Sequence, residues 1–157
     1  VEEVTAAIAA TDLAHYLRHG RWSYAVVNAL HILGIALLVG AVAVLDLRLL
    51  GLWRGIALDL LARPLVATAA TGLALAILAG LALFAVRADE YAAMPLFGLK
   101  MLLVAAGTLS AIGHHLAYGR TLERAPPGAL RIAGAVSLLC WTGALLCGRL
   151  LAFTGDN

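Results

Sequence analysis

Charged side chains punctuate this chain at intervals that leave four long apolar stretches between them. The first lies between Arg21 and Asp46, the second between Arg63 and Arg87, and the third between Lys100 and Arg120. The fourth starts at Arg131 and runs past Arg149 to about Phe153. A helix needs about 17–25 such residues to cross hydrocarbon. An open strand would leave its backbone groups unpaired in lipid, so stretches of this kind are helices. The pattern therefore predicts spans over 22–45, 64–86, 96–119 and 131–153. Pro64 suits the first turn of the second span and Pro95 the entry to the third. Pro126-Pro127-Gly128 breaks the chain ahead of the fourth.

Residues 1–21 follow a different pattern. Val4, Ile8, Leu13, Tyr16 and Leu17 alternate with Glu2, Glu3, Asp12, His15, Arg18 and His19, which predicts one or two short amphipathic helices lying in the headgroup region. No basic segment opens the chain ahead of the first apolar run and no Ala-x-Ala-like site closes it, so this run is read as a retained span. The expected fold class is an all-α integral membrane protein. Four transmembrane helices form an up-down bundle (residues 22–157), preceded by the interfacial segment (1–21). Small residues supply the seams, because lipid gives helices no hydrophobic reason to associate. Ala36-xxx-Gly40, Gly72-xxx-Ala76-xxx-Gly80 and the group Gly134, Ser137 and Gly148 are the candidates.

Composition supports the same picture. The 157 residues are 63% hydrophobic and 13% charged, with a mean hydropathy of +0.96. A soluble domain carries nearer one quarter charged residues, so the surplus apolar surface calls for a lipid bilayer. The net charge of +2 is scattered, without the clustered Lys/Arg face that nucleic acid requires. Cys140 and Cys147 stand two turns apart in one run, too far apart for a disulfide between them. Loops one and three hold Arg48, Arg54, Arg63, Arg120, Arg124 and Arg131; the other side holds Arg18, Arg21, Arg87, Lys100 and Arg149. That bias places loops one and three in the cytoplasm and both termini outside. Trp22, Tyr24, Tyr91, Phe97 and Phe153 mark one interface, Trp53 and Tyr118 the other.

Candidate chemistry is confined to polar residues within the apolar runs, which are costly there and are functional candidates by default. His31 falls about 13 Å into the first span, with Asn28 one turn above and Gly34 one turn below. Lys100 and Arg149 enter from the same side. An imidazole to bind iron, a glycine to admit a flat ring and two cations to meet propionates is a set that suits b-type haem. A quinone is a second candidate, and no cofactor at all is a third. In that last case His31 hydrogen-bonds a neighbouring helix while Lys100 and Arg149 snorkel to the headgroups. His114 lines up with Lys100, Gly107 and Ser110 on one face of the third span. It lies far deeper than His31, so the two are not expected on one iron. Trp141 reads as core packing, with stacking on a bound ring as the alternative. Asp46 and Arg48 suggest a charge pair clamping the first span to its loop. His15 and His19, four apart, would share a face and form a metal pair, although no third ligand is near and solvated histidines are the plainer reading. No nucleophile–base set, phosphate loop or dinucleotide fingerprint appears, so an enzyme acting alone is not expected.

Two stretches also carry a resemblance. Asn28-Ala29-Leu30-His31-Ile32-Leu33-Gly34 and Asp46-Leu47-Arg48-Leu49-Leu50-Gly51 resemble an uncharacterised family of small four-helix bacterial inner-membrane proteins. Tyr91 to Phe97, Lys100, Trp141 and Gly148-Arg149 continue the match. Asn28 and Met94 stand where that family usually has glutamate and asparagine. The family is distantly similar to copper-resistance membrane domains and four-helix b-type cytochromes. The resemblance implies redox or metal handling at the outer face, with a protein partner in a membrane complex. The expected function is thus a membrane subunit binding haem or quinone for electron transfer. A cofactor-free assembly subunit and, less favoured, a metal-handling permease are the alternatives.

Overall fold

The computed structural model describes residues 2–119, 121, 122 and 124–154, and every regular element among them is an α-helix. Two short helices, α1 (Glu2–Ala9) and α2 (Asp12–His19), precede the long α3 (Arg21–Leu50) and α4 (Leu58–Val86). A single-turn α5 (Ala88–Ala93) leads into α6 (Pro95–Tyr118) and α7 (Pro127–Thr154). Helices α3, α4, α6 and α7 are each long and apolar enough to span a membrane. All but α6 run well beyond the predicted spans. A charge ends a hydrocarbon crossing but not a helix, so α3 continues through Asp46 and Arg48, and α4 begins six residues before Pro64. That proline is consequently inside the helix and not in its first turn.

The ends have local causes. Thr11 accepts the Ala14 amide at 3.3 Å and donates to the Ile8 carbonyl at 2.8 Å, stitching the break between α1 and α2. Gly51, at φ 115°, closes α3 in a left-handed turn that side chains disfavour. The Leu52 amide then reaches back to the Leu47 carbonyl at 3.0 Å. Pro95 opens α6.

Helix α3 lies against α4 and α7, and α6 packs on α7. The closest seam is α3–α4. A Cβ built on Gly34 would stand 2.6 Å from the Ala76 nitrogen, and one on Gly72 would stand 2.5 Å from the Leu38 nitrogen. Only residues without a Cβ let two backbones come this near. The predicted α4 stripe Gly72, Ala76, Gly80 makes this seam, but its partner is Gly34 and Leu38. Gly40 has nothing within 4 Å and Ala36 is exposed. Two residues are 200° of helix turn, which takes Ala36 away from the face Gly34 presents. On the other side of α3, Gly134 of α7 abuts the Asp46 carbonyl and Leu49, and on α6 Gly107 abuts Trp141 and Cys140 of α7.

No Cα of α6 comes within 8 Å of one in α3 or α4. Its most apolar window is 6% buried, against 28% for each of the other three long helices. α4 and α6 meet instead through side chains at one end. There the rings of Phe84 and Phe97 stack at 5.3 Å and Tyr91 lies 5.7 Å from Phe97. Helices α1 and α2 dock on this same end, burying Ala14 and Leu17 while Arg18 donates to the Val86 carbonyl at 2.9 Å. That carbonyl is one of the four that the end of α4 leaves without a helical partner.

Candidate functional site

His31 sits on α3 where α4 offers glycine. Its ring lies over Gly80, with Cε1 2.9 Å and Nε2 3.8 Å from the position a Cβ would take. Nδ1 is 2.8 Å from the Ala76 carbonyl oxygen. A carbonyl only accepts, so Nδ1 carries the hydrogen and the Nε2 lone pair is left for another partner. The Ala76 carbonyl belongs to a helical turn, which makes this bond an additional one on that oxygen's second lone pair. The ring is therefore fixed in both position and tautomer by α4.

Lys100, on α6, extends along α7, with Nζ 3.7 Å from the Cβ position of Gly148. Its charge bears on the His31 imidazole through space, while no Cα of α6 comes within 8 Å of one in α3. The other predicted site residues take different places. Gly34 does not open a slot beside His31, because the α4 backbone fills the space its missing side chain leaves. Arg149 points away from Lys100. One residue beyond Gly148 it is turned 100° around α7, exposed, with its guanidinium 4.8 Å from the Phe153 ring centre. Trp141 is 5% exposed and packs on Gly107, which makes it part of the α6–α7 seam. Asn28 is exposed.

His114 is remote from this group. It lies fourteen residues beyond Lys100 on α6, about 21 Å of helix rise. Its Nδ1 donates to the Ser110 carbonyl at 2.8 Å, and its ring neighbours Tyr118 at 6.3 Å. Among the described residues no three of His, Cys, Asp and Glu converge as a metal cage. A haem at His31 would thus draw one imidazole from this chain. The hydroxyls of Thr71, Thr108 and Thr142 bond carbonyls four residues back in their own helices, which satisfies them locally.

The expected Asp46–Arg48 pair is absent. Arg48 donates to the Ile56 carbonyl at 2.9 and 3.1 Å, holding the α3–α4 loop. Asp46 turns the other way, toward α7, where it is 3% exposed and faces Ser137. Its Oδ2 is buried with no hydrogen-bond partner. Residues two apart on a helix face opposite sides, and that spacing was the signal against the pair. Nothing in the sequence marked the Ala76 carbonyl, because a backbone acceptor has no residue type of its own.

At the Phe84–Phe97 end, Tyr91 stands outside the long helices. Burial, followed by the neighbouring Tyr24, pushes its phenol above the usual range, with Arg87 opposing and Glu90 adding to the rise. It is a neutral, ring-stacked closure for that end. Comparison with known proteins finds no matching family model, no matching curated protein and no matching solved structure.

Proposed function

We propose that the four long helices cross a bilayer as an up-down bundle, and that the half containing His31 and Lys100 binds a redox cofactor for electron transfer. In this reading the membrane is a bacterial inner membrane. The termini lie in the periplasm, and electrons pass to or from a protein partner. The observation that carries it is the His31 Nδ1–Ala76 bond of 2.8 Å. Histidines that ligate metal are usually oriented by such a second hydrogen bond, which fixes the tautomer and leaves Nε2 for the metal. His31 would hold haem iron through Nε2, and Lys100 would meet a propionate. With a quinone, Lys100 would donate to a carbonyl and the imidazole would accept from the quinol hydroxyl. A bound haem supplies one-electron exchange; this chain's part is to hold it and keep it from water. The Gly34 face, filled by the α4 backbone, would leave no room there for a flat ring.

The reading predicts a Soret band, shifted by dithionite, in protein purified in mild detergent, or failing that a stoichiometric quinone in its organic extract. Protein that carries neither overturns it.

A second reading, a cofactor-free assembly subunit, draws on α6. With 6% of its apolar window buried, this helix is free to lie against another membrane protein. Leu109, 68% exposed, is its probe. On this reading, Leu109→Cys in a background with Cys140 and Cys147 replaced crosslinks to a partner in native membranes. Reaction with lipid-soluble reagent alone removes this reading.

A further inference from the structure

Two metal-ligating side chains lie outside the His31 group, on the docked segment. His15 and His19 are one turn apart on α2, and both are exposed. Their ring centroids are 4.2 Å apart, with planes inclined at 38°. His19 Nδ1 is 2.9 Å from the His15 carbonyl oxygen. That oxygen only accepts, so the His19 lone pair is on Nε2, directed away from the backbone. Two nitrogens on a tetrahedral ion, each at about 2.0–2.1 Å, stand roughly 3.3 Å apart. Rings already at 4.2 Å reach that separation by side-chain rotation alone.

The surroundings do not oppose a cation. Arg18 is the nearest like charge in sequence, and its guanidinium is engaged with the Val86 and Ala9 carbonyls. Asp12 lies one turn before His15 and favours positive charge. The helix carrying the pair is held at both ends, by the Thr11 cap and by the Gly20 amide on the Tyr16 carbonyl at 2.9 Å. It is held from behind by buried Ala14 and Leu17. The pair is therefore displayed on a fixed turn, with little ordering left to do on binding.

We infer that His15 and His19 form a two-imidazole site for a divalent first-row transition ion, at the surface of the end where α1 and α2 dock. Two histidines at i and i+4 are a known helical arrangement for such ions, and imidazole suits zinc, copper and nickel. No third His, Cys, Asp or Glu side chain joins them among the described residues, so water or a donor from another molecule completes the coordination. An open site of this kind binds an exchangeable ion, in contrast to a closed structural zinc. The inference does not depend on His31 or on any redox cofactor.

The test uses the full-length protein in detergent, purified without a histidine tag. Zinc is titrated by calorimetry, and copper(II) is added at one equivalent for electron paramagnetic resonance. Expected are one zinc per chain and a copper signal split by two nitrogens. His15→Ala and His19→Ala should each weaken zinc binding at least about tenfold, since even loss of a supporting outer partner costs metal sites about 10–100-fold. His31→Ala and His114→Ala should leave it unchanged. Both α2 positions are exposed, so these variants keep the fold; His19→Gln serves as a second, isosteric check. Wild-type affinity within twofold of the His15→Ala/His19→Ala double variant would overturn the site. A copper signal with one nitrogen or none would also overturn it.

Discussion

Glycine identity matters in this chain only where another backbone arrives. At Gly34 the incoming atom is the Ala76 nitrogen, at 2.6 Å from a built Cβ, and a main-chain atom has no rotamer by which to retreat. Gly34→Ala should push α3 and α4 apart and cost about 2 kcal/mol or more. Gly113, on α6, meets nothing within 4 Å. There the same substitution should raise stability by about 0.5–1 kcal/mol, the ordinary helix preference for alanine. Unfolding by SDS in mixed micelles, followed by helical circular dichroism, measures both. Equal effects at the two sites would contradict the close α3–α4 approach. His31 depends on the same seam, because its ring occupies the space above Gly80. Residue types marked the candidates, but side-chain direction depended on neighbours. Arg149 and Lys100 looked equivalent by depth, and 100° of helix turn separates their surroundings.

Among the elements, α2 and α6 contrast most. α2 is short and polar, yet it is anchored by a guanidinium capping the end of α4. Arg18→Ala should release the α1–α2 segment locally at a cost of about 1.5 kcal/mol, the low end for a charged hydrogen bond because the group is partly in water. Hydrogen exchange should then speed up in residues 3–19 and stay unchanged in α3, α4 and α7. Uniform change, or none, would contradict that anchoring role. α6 is the reverse case, strongly apolar and scarcely covered. The four long helices were legible from charge spacing alone, because an apolar run of that length has few other structures open to it. The seams were less so. α3 carries several small residues, and which of them faces α4 is decided by the partner helix, not by α3.

For the molecule as a whole, the packing places ionisable side chains at two levels. His31 and Lys100 share one end with the aromatic closure and the docked α1–α2 segment. Asp46, with its unpartnered Oδ2, lies near the other end of α3, five residues before Gly51. Between them α3 carries only Ile, Leu, Val, Ala and Gly. The cofactor reading rests on a single imidazole of this chain, His31, because His114 lies about 21 Å of helix rise beyond Lys100. The most direct measurement is the reduced-minus-oxidised spectrum of the wild type beside His31→Ala and His114→Ala. A haem signal should be lost in His31→Ala and kept in His114→Ala. A signal that persists without the His31 imidazole would contradict the cofactor reading, as would wild-type protein with neither haem nor bound quinone.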